Sequence, residues 1–315
     1  MPQPRFFQLY RADDDTTRRE LAAGLSAPQP WVAPKFLYDA LGARLFEAIT
    51  ELPEYYPTRT ERSIFDAHAA EIGAAVGPGS VLVDLGAGNC EKAARLIGDL
   101  QPAAYVAVDI STDFLRESLE RLQQCHPALP IAGVGLDFSA SLALPPGLLG
   151  ARNTFFYPGS SIGNFTPADA VGFLRQVRER CAGGGLLIGV DLVKPREIVE
   201  PAYDDALGVT AAFNLNLLLH LNRLLGADFD VRDWRHVGLW NEAASRIEMH
   251  LEARRDVRVA WRGGERRFAA GERLHTENSY KYRPEDFDAL LRDAGFTRMR
   301  HWRDARGWFS VVWAT

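Results

Sequence analysis

The 315-residue chain has little sulfur, with three cysteines and three methionines. Cys90, Cys125 and Cys181 are widely spaced and form no Cys-x-x-Cys pair. That argues against a disulfide framework and is expected of a reduced, cytoplasmic protein. Seven histidines are scattered without ligand spacing, so no metal is expected. Long apolar runs are missing as well. None approaches the roughly 20 residues that span a bilayer, and MPQPRFFQLY is too short in apolar character for a secretory signal. No membrane partner is therefore expected. Positive charge is not in excess: 36 Lys and Arg face 41 Asp and Glu, a formal net charge of −5. A chain of that balance lacks the broad basic field of a nucleic-acid binder, and pairs such as Arg254–Arg255 and Arg266–Arg267 read as solvated surface. Internal repeats and low-complexity tracts are also absent. A monomer acting on a small molecule is the expectation.

What is present is an ordinary globular composition, 47% hydrophobic and 24% charged, in a chain long enough for two domains. A short helix is expected near Thr17–Gly24. Apolar residues from Phe36 to Ile49 recur at helical spacing and predict a helix over Tyr38–Thr50. Pro53 and Pro57 bracket Tyr55–Tyr56 in a loop, and helical periodicity returns from Thr60 to Val76. Short apolar runs then alternate with helical stretches. Strands are predicted at Val81–Leu85, Tyr105–Ile110, Ile131–Leu136, Asn153–Tyr157 and Gly185–Val193, with helices at Glu91–Leu100, Asp113–Cys125 and Pro167–Cys181. This alternation implies an α/β fold with a mostly parallel sheet covered on both faces.

The pattern breaks at residue 197. Residues 197–245 read as largely helical, Arg246–Trp261 as a strand, Pro284–Ala294 as a helix, and Thr297–Trp302 and Phe309–Trp313 as closing strands. The expected architecture is α/β, a Rossmann-like, mostly parallel sheet closed by an antiparallel pair, with an inserted mixed α+β domain. Residues 61–196 and 284–315 would form the first domain, and 1–60 and 197–283 the composite second.

The most informative local stretch is VLVDLGAGNCEK at 81–92. A buried strand enters a glycine turn and a helix follows. Gly86 and Gly88 permit positive φ and close backbone approach to a ligand, at the strand end where doubly wound sheets bind theirs. The spacing is Asp-x-Gly-x-Gly, and Glu91 stands where a dinucleotide fold places its third glycine. That favours S-adenosylmethionine over a nicotinamide dinucleotide, because no pyrophosphate needs cradling. Asp109 ends the second strand, where a carboxylate accepts both hydroxyls of a ribose. The third strand leads to Asp137 and Phe138, placed to take an adenine's amino group and ring. Lys92 opens the first helix and either meets the donor's methionine carboxylate or is a solvated helix residue. The fourth strand leads into GSSIGN, whose Asn164 either orients an amine beside the methyl group or is a loop asparagine of ordinary kind.

Five segments resemble the histidine Nα-methyltransferases of ergothioneine biosynthesis: LYDALGARLFEAITELPEYYPTRTE, VDLGAGNCEKAARL, GSSIGNF, DLVKPREIVEPAYDDALGVTAAFNLNLL and GERLHTENSYKY. They run from about Tyr38 to Tyr282. The resemblance implies a Rossmann-like class I methyltransferase sheet for the donor and an inserted mixed α+β substrate-binding domain that closes over free histidine. Carried over by motif, Tyr56 and Asn164 contact the amino acid, Tyr203 binds its carboxylate, and Glu277 and Ser279 hold the imidazole. Gly86, Gly88, Lys92, Asp109, Asp137 and Phe138 are the implied donor contacts, and Tyr38 a residue near the amine. Many relatives read TE-Ile-Ser followed by a small residue, Lys and Phe. Here the run is TENSYKY, and the bulk of Tyr280 alters the pocket wall.

The residue chemistry points the same way. A carboxylate and a hydroxyl match the two ring nitrogens of an imidazole, whereas an indole offers one donor and no acceptor. Leaving a buried partner unsatisfied costs about 1–3 kcal/mol. Alternative readings are an acceptor such as tryptophan or an aromatic amine, a non-catalytic S-adenosylmethionine-binding module and, more distantly, a nicotinamide oxidoreductase.

Overall fold

The computed structural model describes residues 3–10 and 15–315. Thirteen strands occur among them: β1 (Arg5–Gln8), β2 (Val81–Leu85), β3 (Ala104–Asp109), β4 (Ile131–Gly135), β5 (Asn153–Tyr157), β6 (Gly185–Asp191), β7 (Trp234–Asn241), β8 (Arg246–Ala253), β9 (Val257–Trp261), β10 (Gly264–Phe268), β11 (Arg273–Tyr280), β12 (Met299–Arg303) and β13 (Phe309–Ala314). The chain divides into two compact units. The first takes the described residues up to Tyr10, Pro57–Val193 and Tyr280–Thr315; the second takes the described residues from Asp15 to Tyr56 and Lys194–Ser279.

The first unit is built on an eight-stranded sheet in the order β1-β4-β3-β2-β5-β6-β13-β12. All pairings from β1 through β6 are parallel, and β13 and β12 close the sheet antiparallel. Every residue of β4, β5 and β6 is buried, the continuous apolar reading of strands covered on both faces. Along β2 the side chains alternate between two cores. Val83 and Leu85 join Phe173, Leu174 and Phe287 on one side. Leu82 joins Ile64, Leu96 and Leu119 on the other. Strand order reverses between β2 and β5, so the chain segments leaving these two strands lie at the sheet's switch point.

The second unit holds a three-stranded sheet, β11-β8-β7, and the hairpin β9–β10, with helices Asp15–Ser26, Ala40–Thr50 and Val209–Leu225. Asp39 caps the second of these by accepting from the Gly42 amide at 2.8 Å. It also accepts from Asn216 at 2.7 Å, tying that helix to Val209–Leu225. The long apolar helix is started by Asp205, whose carboxylate oxygens accept from the amides of Val209 and Thr210 at 3.0 and 2.7 Å. It stops at Gly226, where φ is +63°.

Several expectations are corrected. Residues 197–245 are not largely helical: Val209–Leu225 is a helix, but Trp234–Asn241 is a strand paired antiparallel with β8. Arg246–Trp261 is two strands, not one. Arg5–Gln8 adds to the first unit's sheet beside β4, so residues 1–60 do not fall as a block in the second unit. Asp13, Asp14 and the other residues of the segment 11–14 lie outside the described residues.

Candidate functional site

In the first unit, the turn after β2 is shaped by backbone geometry that side chains rarely adopt. Gly86 has φ +71° and Gly88 φ +52°, and Cys90, the helix N-cap, also sits in the left-handed region at +62°. The amides of Gly86 and Ala87 donate to the Val108 carbonyl at 2.8 and 3.2 Å, so the turn is anchored to β3. A side chain at Gly88 would meet nothing within 4 Å, whereas one at Gly86 would come 3.8 Å from the Phe138 ring. The turn is thus an open cradle with an aromatic ring beside it.

Asp109 completes that cradle. One carboxylate oxygen accepts from the Gly88 amide at 2.9 Å and the other from the Ser111 amide at 2.8 Å. The Ile110 amide and the Ser111 side chain also bond the Asp109 carboxylate. Burial raises its carboxyl above the usual range, and the amides of Ser111 and Gly88 pull against that. Asp84 lies beneath the turn, buried, and accepts from the Tyr105 hydroxyl at 2.7 Å. Burial pushes its carboxyl up to about 7, against the lowering effect of the Tyr105 bond. Asp137 accepts from Ser139 at both amide and hydroxyl. Phe138 stands edge-on to Tyr157 at 5.8 Å.

Lys92 is not a free surface residue. Its ammonium donates to Glu61 at 2.6 Å, and its side chain is 36% exposed while that of Glu61 is 1% exposed. Across the switch point, Gly159 and Ser160 both have positive φ, +79° and +62°. The Ser160 hydroxyl accepts from the Asp191 amide at 2.9 Å, and Asp191 is held in a fully buried ion pair with Lys281 at 2.9 Å. Asn164 ends the short 3-10 turn Ser161–Asn164 and is half-buried. The sequence-predicted residues Gly86, Gly88, Asp109 and Phe138 are therefore brought together. Lys92 is joined to the GSSIGN loop through Glu61, which sequence reasoning missed.

In the second unit, the Tyr203 and Ser279 hydroxyls are 2.7 Å apart. The Tyr203 carbonyl accepts from His236 at 2.7 Å, and the other ring nitrogen of His236 faces Asn214 at 2.9 Å. Burial lowers the His236 pKa, which favours the neutral ring. Glu277 is 7% exposed, so it is not the surface carboxylate that its isolated sequence position allows. The burial pattern of β11 explains how. It alternates from Arg273 to Thr276, then slips, with Thr276 and Glu277 both buried. Tyr56 is buried and its hydroxyl accepts from Lys194 at 3.0 Å, with the ammonium 4.5 Å from the ring centroid. Lys194 was not anticipated, because a lysine after a strand reads as solvent-facing; it is 7% exposed. Tyr38 stands edge-on to Phe46 and Phe213 at 5.5 and 5.4 Å.

A separate depression of about 590 Å³ is lined by Trp31, Arg246, Glu248, His250, Arg273 and His275, among others. None of the sequence-predicted site residues lines it. Burial and the neighbouring His275 push His250 down to about 4, and Arg246 is paired with Glu248 at 2.6 Å. Among the described residues, no group of three or more His, Cys, Asp or Glu could hold a metal ion, and no helix is long and apolar enough to cross a membrane.

Comparison with known proteins matches residues 17–315 to the family of S-adenosylmethionine-dependent, histidine-specific methyltransferases. The chain is 42% identical over 304 residues to the histidine N-alpha-methyltransferase of Mycolicibacterium smegmatis, covering 94% of each chain. It is 40% identical to that of Mycobacterium tuberculosis, covering 93% of each. Ergothioneine biosynthesis protein 1 of Neurospora crassa is 32% identical over 84% of this chain and 31% of its own length. With an Asp-x-Gly-x-Gly turn, a parallel sheet reversing beside it and a match over nearly its whole length, the chain belongs to the S-adenosylmethionine-dependent, histidine-specific methyltransferase family.

Proposed function

We propose that this chain transfers methyl groups from S-adenosylmethionine to the α-amino nitrogen of L-histidine, three in succession, giving the trimethyl betaine. The observation that carries the choice of acceptor is the burial of Glu277 and Ser279 on one strand, with Ser279 bonded to Tyr203. A desolvated carboxylate and a hydroxyl satisfy both nitrogens of an imidazole and leave an indole short of an acceptor match.

In this reading the first unit is the donor domain and the second the amino-acid domain. Asp109 takes the ribose hydroxyls, Asp137 and Phe138 the adenine, and Lys92 the methionine carboxylate. Gly86 and Gly88 leave room for the ligand to approach the backbone. Glu277 and Ser279 hold the imidazole, Tyr203 the carboxylate, and Tyr56 and Asn164 the amine, with Tyr38 nearby. The donor supplies an electrophilic methyl carbon on a sulfonium, and the amine must present a free lone pair. An α-amino group has a pKa near 8 in model peptides, so the residues around it must favour loss of its proton. Most of the rate gain is assigned to alignment, which is worth about 7–11 kcal/mol in well-oriented reactions. Tyrosine faces at Tyr38 and Tyr56 stabilise the growing cationic charge as methyl groups accumulate. The protein is proposed to work as a cytoplasmic monomer without a metal.

A panel of free amino acids with isotopically labelled donor tests the reading. Histidine should be labelled far faster than tryptophan or phenylalanine. Equal labelling of tryptophan would overturn the imidazole assignment, and donor binding without turnover on any acceptor would overturn the enzymatic one.

A further inference from the structure

Glu61 is a buried carboxylate whose two oxygens serve two different elements. One accepts from the Lys92 ammonium, on the helix that follows the glycine turn, at 2.6 Å. The other accepts from the Gly159 amide, in the loop after β5, at 2.7 Å. The side chain is 1% exposed, so it could not stay charged at low cost without such partners. The backbone is cut to fit it. A methyl group at Gly189, on β6, would lie 2.2 Å from the Glu61 oxygen, and one at Gly159 would lie 3.0 Å from the Lys92 nitrogen. Glycine at these two positions keeps the space that the pair occupies.

We propose that Glu61 is a positioning residue of the donor site: it fixes the Lys92 ammonium for the donor's carboxylate and ties it to the loop that carries Asn164. The proposal rests on the reading that Lys92 meets that carboxylate. An ammonium has three N–H donors, and the Glu61 bond uses one while aiming the others. The Lys92 side chain is 36% exposed and its Glu61 partner 1% exposed, which suits an anchored lysine that a ligand can still reach. A lysine already held by Glu61 has less rotamer freedom to lose when the donor's carboxylate docks.

The test compares S-adenosylhomocysteine, which carries the amino-acid end with its carboxylate and amino group, with 5′-methylthioadenosine, which lacks both; the Lys92→Met variant assigns any loss to the carboxylate's partner. Calorimetry on the full chain should show that Glu61→Gln weakens S-adenosylhomocysteine about tenfold and leaves 5′-methylthioadenosine within about twofold. Gln keeps a carbonyl for Gly159 but turns away the ammonium. Adding Glu61→Gln to Lys92→Met should then cost nothing further, because the two act as one unit. Parallel weakening of both ligands by Glu61→Gln would overturn the proposal by showing a merely structural role. Loss with Lys92→Met but not with Glu61→Gln would also overturn it while leaving the Lys92 reading intact. Unchanged affinity in Lys92→Met would overturn that reading, and the proposal with it. If Glu61→Gln does not fold, Glu61→Asp, which keeps the charge but is one methylene shorter, carries the same two-ligand comparison.

Discussion

Replacing Asp84 with asparagine should flatten the pH dependence of the fold's stability between pH 5 and pH 8. The carboxyl is buried beneath the glycine turn, and burial pushes it from 3.8 up to about 7 despite the hydrogen bond from Tyr105. The folded form therefore binds this proton more tightly than the unfolded chain. The stabilising contribution is full below the unfolded value near 3.8 and is lost as pH rises through about 7. At about 1.4 kcal/mol per pH unit, the loss between pH 5 and pH 8 is about 3 kcal/mol. Asparagine keeps an acceptor for Tyr105 and has no proton to lose. Urea unfolding of both proteins, followed by tryptophan fluorescence at the two pH values, isolates the effect, since other titrating groups shift both alike. The stability difference should move by about 3 kcal/mol in favour of the variant at pH 8. A difference that stays constant from pH 5 to pH 8 would refute the reasoning.

Three further outcomes follow from the same geometry. Glu277→Gln should raise KM for histidine about tenfold or more while leaving the donor's Kd unchanged; equal changes in both, by steady-state kinetics and calorimetry, would place Glu277 outside the acceptor site. Tyr56→Phe removes a hydroxyl that accepts from buried Lys194, so it should cost about 1–3 kcal/mol in unfolding experiments. Mass spectrometry should also find its mono-, di- and trimethyl products redistributed. Asp205→Ala strips the start of helix Val209–Leu225 of its two side-chain bonds and should cost about 0.5–2 kcal/mol. The Asp205 carboxyl is held below its usual 3.8, with the Thr210 and Val209 amides outweighing its burial. Its contribution is therefore present at neutral pH and should fade as pH falls below that value.

The geometry of the glycine turn was legible because its signals are local. Positive-φ glycines directly follow a buried strand, and Asp109 sits at a strand end where the parallel register fixes its position beside the turn. Glu61 and Lys194 were not legible. On a helix, Glu61 is one polar residue among several, and only the return of β5 and β6 encloses it. Strand β7 lacks a clean two-residue alternation: one buried residue is followed by an exposed and six half-buried ones, so it carries no plain strand signal. Its strand character comes from pairing with β8, and β1 likewise depends on β4, more than a hundred residues away in sequence. Glu277 shows the limit from the other side. Its sequence position allowed either face of a strand, and the slip in burial at Thr276–Glu277 decides it. Tyr203 and Ser279, assigned to different ends of the amino acid, turn out to share a hydrogen bond. That linkage crosses 76 residues of sequence and had no local trace.

Regiospecific transfer is the most direct test: methyl groups should go to the α-nitrogen, and the imidazole nitrogens, proposed to be held by Glu277 and Ser279, should stay unmodified. Carbon-13 NMR of the product made from histidine and methyl-labelled S-adenosylmethionine reads this directly. The expected result is a single trimethylammonium resonance that correlates through three bonds with the α-proton, and no labelled carbon on the ring. Label on a ring nitrogen, or none on histidine at all, would contradict it.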